Sequence, residues 1–83
     1  MEKGNLLLEI LSPEKSLFKG CVASVMLPGG KAPFTVLHNH APIISSLCKG
    51  RVVWYVDGKE NGLDVSGGFV KVADNNVTVC VEV

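Results

Sequence analysis

The chain has 83 residues, 47 % of them apolar, with eight Lys and Arg balancing eight Asp and Glu, and three cysteines. That length holds one core and excludes a second domain, and a neutral chain without a basic stretch has nothing with which to track a nucleic-acid backbone. The first apolar run, Leu6 to Leu8, stops at Glu9, far short of the ~20 residues of a membrane helix or of a signal-peptide core.

No window repeats apolar residues at helical spacing over three turns, whereas several alternate with period two, so the elements are predicted as strands throughout. In chain order they are Leu6 to Leu11, a short Leu17-Phe18 piece, Cys21 to Leu27, Phe34 to Leu37, Ile43 to Cys48, Arg51 to Asp57, Leu63 to Ser66, Phe69 to Ala73, and Val77 to Val83. The last is the clearest, with Val77, Val79, Val81 and Val83 on one face and Thr78, Cys80 and Glu82 on the other. Arg51 to Asp57 sets Val52, Trp54 and Val56 against Arg51, Val53, Tyr55 and Asp57; Val53 and Tyr55 make the second face partly apolar, as in a strand covered on both sides. Turn formers separate the strands: Ser12-Pro13-Glu14, Lys49-Gly50, Asp57-Gly58 and Asp74-Asn75-Asn76 suit tight reversals. Closely spaced strands joined by such turns predict an all-β fold, an antiparallel sandwich of about nine to ten short strands without substantial helix, in a single domain over residues 1–83. Two longer loops, Leu27 to Pro33 and His38 to Pro42, flank one short strand, and their relative placement stays open. A domain this small buries only roughly 60–65 % of its unfolded surface; it is expected as a subunit rather than a lone enzyme.

Candidate chemistry is sparse. Gly29-Gly30-Lys31 suggests a phosphate loop, but the four-residue glycine spacing is missing and Ala32-Pro33 stands where a hydroxyl residue should open a helix. His38 and His40 lie two apart and can face one way in an extended segment, yet no second close Cys or His pair supplies the other corner of a zinc site. Cys21, Cys48 and Cys80, odd in number and widely spaced, are expected as reduced thiols. Gly67-Gly68 reads as a β-bulge or as a close approach to a partner, the bulge being the better reading. Trp54 and Tyr55 face opposite sides of a strand, so they make no joint sugar-stacking platform, and Trp54 is expected in the core. A freestanding ligand- or carbohydrate-binding sandwich is the alternative reading.

Longer patterns go further. Ser12-Pro13-Glu14-Lys15, Leu17-Phe18-Lys19-Gly20 and Val25-Met26-Leu27-Pro28-Gly29 open the chain; Phe34-Thr35-Val36-Leu37, His40-Ala41-Pro42-Ile43-Ile44, Leu47 and Gly50 follow; Gly67-Gly68-Phe69-Val70-Lys71-Val72 and Asn76-Val77-Thr78-Val79 close it. In order and spacing, over nearly the whole chain, this series resembles the β-domain of the epsilon subunit of rotary ATP synthases. The resemblance implies a ten-stranded sandwich at the foot of the central stalk. One surface would pack on the gamma subunit and one end on the polar loops of the membrane c-ring, with the catalytic hexamer engaged only indirectly. It implies a non-catalytic rotor element of a proton-translocating ATP synthase, without cofactor or metal, peripheral to the cytoplasmic face of a bacterial inner membrane and not spanning it. Lys31, Pro33, Phe34, His38, His40 and Pro42 are expected nearest the ring by that similarity. Ala32, Thr35 and His38 depart from the family pattern, so the ring-facing loop is expected to differ in shape. The family usually continues into two C-terminal helices that can inhibit ATP hydrolysis; a chain ending at Val83 is expected to show no inhibition by helix insertion and no ATP sensing by that hairpin.

Overall fold

The computed structural model describes residues 6–83, all of whose regular structure is β. The first five residues of the expected domain lie outside the described residues. Nine strands form: β1 (Leu6–Leu11), β2 (Ser16–Val22), β3 (Ser24–Leu27), β4 (Phe34–Val36), β5 (Ile43–Leu47), β6 (Gly50–Val56), β7 (Lys59–Val65), β8 (Gly67–Ala73) and β9 (Asn76–Glu82). They make a five-stranded sheet in the order β2-β1-β9-β8-β5 and a four-stranded sheet in the order β4-β3-β6-β7. The predicted all-β sandwich is what the chain adopts.

The core follows from the alternation. Leu6, Leu8 and Ile10 of β1, Val70 and Val72 of β8, and Val77, Val79 and Val81 of β9 bury one face of the larger sheet; Val25, Leu27, Val36, Val52 and Trp54 bury one face of the smaller. No polar or charged residue among those described is buried, so the interior carries no ion pair to desolvate. Trp54 lies in the core as expected, its ring centroid 4.9 Å from that of Phe18 at a tilt of 43°, a favourable offset for two aromatic quadrupoles.

Several details differ from the sequence reading. The pieces Leu17-Phe18 and Cys21-Val22 are one strand, β2, and the predicted Cys21-to-Leu27 strand breaks at Ala23, where the chain passes from the larger to the smaller sheet. Ala23 N–H donates to Tyr55 O (2.9 Å) at this corner. Strand β7 starts at Lys59, four residues before the predicted Leu63, because the Asp57-Gly58 turn pins the hairpin: both residues have positive φ (52° and 77°), as a type I′ reversal requires. All neighbouring strands are antiparallel except β1 and β9, which run parallel from Leu7↔Asn76 to Leu11↔Cys80. Gly67-Gly68 is not a bulge, since β8 pairs with β9 in unbroken register from Gly67↔Glu82 to Ala73↔Asn76. The bulge lies between β1 and β2, after Ile10.

Candidate functional site

The two sheets differ sharply on the faces turned away from the core. On the four-stranded sheet, Arg51 Nη1 reaches Asp64 Oδ1 across β6 and β7 (3.0 Å), and Tyr55 Oη donates to Glu60 Oε1 (3.0 Å). The hydrogen bond from Tyr55 to the Glu60 carboxylate, and then that carboxylate's charge, hold the phenol pKa above its ordinary 10.0. Val53, between these two pairs in register, is buried although it points away from the core cluster, but Arg51 and Tyr55 on the same face are exposed, so β6 is not covered on both sides as expected. This face satisfies its own polar groups.

The outer face of the five-stranded sheet does not cover itself in this way. Leu11, Cys80, Phe69 and Ser46 form one row across β1, β9, β8 and β5. Phe69 is 51 % exposed, and Ile44, one row along, 74 %. Leu11, Pro13, Phe69 and Cys80 line a shallow groove of about 500 Å³, with Glu82 on its wall. The next row, Lys19, Glu9, Thr78, Lys71 and Ile44, supplies the charge around the apolar patch. Sequence reasoning missed this face, though its signal was present: Ile44 and Phe69 are large apolar residues at positions of opposite parity to the buried Leu47 of β5 and Val70 and Val72 of β8.

The six residues singled out from the sequence are not brought together. Residues 28–33 pack against the β5–β6 turn: Gly29 bridges to Leu47, Cys48 N–H donates to Pro28 O (2.8 Å), and the Cys48 thiol lies 3.5 Å from both Gly29 O and Gly30 O. Lys31 and Pro33 are exposed on this loop, and Phe34 is half-buried against the core. Residues 37–42 stand at the opposite end of β4 and β5, beside the β8–β9 turn. There His38 and Pro42 are exposed and His40 half-buried. The question left open by the sequence is thereby answered: the two loops occupy opposite ends of the sandwich.

At that second end His40 N–H donates to Leu37 O (3.1 Å), closing a turn in which Asn39 has a φ of 65°. Asn39 N–H donates to Asn75 Oδ1 (2.6 Å), and Asn75 Nδ2 donates to Asn39 Oδ1 (3.2 Å). The His40 Nδ1 is 2.7 Å from Ala41 O. No group of three or more His, Cys, Asp or Glu among the described residues can hold a metal ion, so His38 and His40 gain no third ligand. The burial of Trp54, 7 % exposed, removes the aromatic platform that a sugar-binding sandwich would need.

Residues 5–83 match the family described as ATP synthase, Delta/Epsilon chain, beta-sandwich domain. The chain belongs to this family. Among its relatives, the ATP synthase epsilon chain of Desulfitobacterium hafniense is 42 % identical over 79 residues, covering 95 % of this chain and 60 % of the relative. That of Nitratidesulfovibrio vulgaris is 43 % identical over 82 residues, covering 99 % and 60 %. This delta/epsilon-family chain therefore spans about 60 % of the length of the relatives it matches. Among solved structures, a chain of the Euglena gracilis mitochondrial ATP synthase (OSCP/F1/c-ring) superposes with a TM-score of 0.88 at 21 % identity, over 94 % of this chain and 51 % of that one. A chain of the Tetrahymena thermophila mitochondrial ATP synthase central stalk and c-ring superposes with a TM-score of 0.78 at 16 % identity, over 100 % and 67 %. These two likenesses establish a shared fold. No helix among the described residues is long and apolar enough to cross a membrane.

Proposed function

We propose that this sandwich is a non-catalytic central-stalk element of a proton-translocating ATP synthase that couples the gamma subunit to the c-ring on the cytoplasmic face of a bacterial inner membrane. The observation that carries the proposal is the match of 95 % of this chain, at 42 % identity, to 60 % of an ATP synthase epsilon chain. Physical reasoning adds where the contacts fall. Torque transfer needs a stiff element, and a close-packed interior of branched aliphatic side chains compresses little.

The patch formed by Phe69 and Ile44 in adjacent rows is the gamma-facing surface, because it leaves a phenylalanine and an isoleucine more than half exposed, whereas on the other outer face the half-exposed Tyr55 and Met26 lie beside polar groups that pair with one another. The loop of residues 28–33, with Lys31, Pro33 and Phe34, meets the ring. His38, His40 and Pro42, at the other end, extend the gamma face, since their loop runs directly into β5 and its exposed Ile44.

Co-purification of the chain with the gamma subunit from the same genome tests the proposal. One-to-one binding is expected, with Cys80 protected from a thiol reagent in the complex and Cys48 still reactive. Phe69→Asp should weaken binding at least about tenfold, as loss of an aromatic anchor does, while leaving the fold intact. No complex at low salt would remove the rotor reading, and binding that leaves Cys80 fully reactive would move the contact to another face.

A further inference from the structure

Two turns built from different parts of the sequence meet at the end of the sandwich that carries His40. In each, an asparagine occupies the left-handed region: Asn39 at φ 65° and Asn75 at φ 62°. Asparagine is the side chain that best tolerates this conformation apart from glycine, and it alone adds an amide. Here the two amides face each other. One bond uses the Asn39 backbone N–H and the Asn75 carbonyl oxygen, the other the Asn75 side-chain NH2 and the Asn39 carbonyl oxygen. Asn75 is half-buried, and the Asn39 N–H, which the turn from Leu37 to His40 leaves without a backbone partner, is satisfied by it.

The next residue along is His40. A backbone carbonyl can only accept, so the 2.7 Å contact between His40 Nδ1 and Ala41 O requires the hydrogen on Nδ1. In the neutral ring that leaves Nε2 as a lone-pair acceptor. We propose that Asn75 is a positioning residue: through its two bonds to Asn39 it clasps the 37–42 loop to the β8–β9 turn and holds His40 in the Nδ1–H tautomer, which offers Nε2 to a hydrogen-bond donor. The clasp and the tautomer stand on the geometry alone. Only the further step, that the donor belongs to the gamma subunit, rests on the function proposed above.

The test uses the full chain, labelled with 15N, at about pH 8.5, above the ordinary imidazole range. Asn75→Gly keeps the positive φ without strain and removes both clasp bonds. Asn75→Asp keeps an acceptor for the Asn39 N–H, and a flip of the Asn39 amide restores the second bond. In Asn75→Gly the Asn39 amide should exchange with solvent about five- to tenfold faster, the size of effect one net hydrogen bond gives. The His40 ring nitrogen shifts should move from the Nδ1–H pattern towards the Nε2–H pattern that an unrestrained histidine favours. Asn75→Asp should recover at least half of both changes, and the amides of Val70 and Val79 should be unaltered in both variants. Unchanged Asn39 exchange and an unchanged His40 tautomer in Asn75→Gly would overturn the proposal, as would an Asn75→Asp variant indistinguishable from Asn75→Gly. Should Asn75→Gly disturb the Val70 and Val79 amides, Asn39→Gly removes the side-chain bond alone and keeps the backbone N–H of position 39 on Asn75 Oδ1; the His40 tautomer should then shift part of the way, and no shift would overturn the proposal. Gamma binding measured on the same variants separates the two claims: a clasp that fails by exchange fails whether or not the chain binds, and a clasp that holds in a chain that does not bind gamma leaves only the rotor reading in error.

Discussion

Gly67 and Gly68 are adjacent in sequence, yet alanine at the two positions should behave very differently. Gly68 has a φ of 144°, and a Cβ built there would overlap the carbonyl oxygen of Cys80 and lie 2.9 Å from Val81 Cα, both backbone atoms of the neighbouring strand. Strands β8 and β9 cannot yield by rotating a side chain; they must part locally. The strained φ costs ~1–3 kcal/mol, and parting the strands sacrifices about two ladder bonds at ~1 kcal/mol each, so Gly68→Ala is expected to lose about 3–5 kcal/mol. A domain of this size has roughly 4–12 kcal/mol in all, and each kilocalorie lowers Tm by about 4–8 °C, so the midpoint should fall by about 12–40 °C. At Gly67 the nearest atom to an added Cβ is Leu47 O at 3.7 Å, ordinary contact, and Gly67→Ala should stay within about 1 kcal/mol of the parent. Urea and thermal unfolding followed by the fluorescence of Trp54, the single tryptophan, measure both. Equal losses in the two variants, or a Gly68→Ala chain within about 1 kcal/mol of the parent, would refute the backbone-approach reasoning.

Three further outcomes are expected. Gly62→Ala should cost under about 1 kcal/mol, because the atoms nearest the added Cβ belong to the flexible Arg51 side chain (Nε at 2.5 Å), which can swing away and give up its bond to Asp64; unfolding by urea checks it. In a spectrophotometric titration Tyr55 should ionise above 10.0, and Glu60→Gln should bring it down, because the carboxylate holds the phenol protonated. Since the folded pKa is raised, the stability tied to this pair is present below the unfolded value and is lost as pH rises through the folded one. Leu8→Ala, at a position with no exposure in a central strand, should lose about 2–5 kcal/mol by denaturant unfolding, the range for a cavity left in a packed core.

Strand positions were legible wherever one face is apolar and the other polar, as in β9. They were illegible where a different term decides. In Cys21 to Leu27 the buried residues are Val22, Val25 and Leu27; the odd step from 22 to 25 is the mark of the sheet change at Ala23, and reading the segment as one apolar run hides it. The first residues of β7, Lys59 to Asn61, have poor strand propensity and are held by the type I′ turn and the register of the hairpin rather than by their own preference. The parallel pairing of β1 with β9 has no local signature at all, because nothing in either strand records the direction of a neighbour so distant in sequence. The site was legible by family pattern more than by chemistry. Lys31 and His40 were picked out by similarity, but their placement at opposite ends depends on the direction in which β4 and β5 cross the sandwich, and the Asn39–Asn75 pairing depends on two turns meeting in space.

The parallel β1–β9 pair also sets how the domain answers a pull. Because the two strands point the same way, the N-terminal end of β1 and the C-terminal end of β9 leave the larger sheet at opposite ends. Tension applied between Leu6 and Glu82 therefore runs along the strands and loads all five aligned pairs together, in shear, so that they must fail as a group instead of unzipping one after another. A force from one end of the sandwich to the other is met by the centre of its larger sheet.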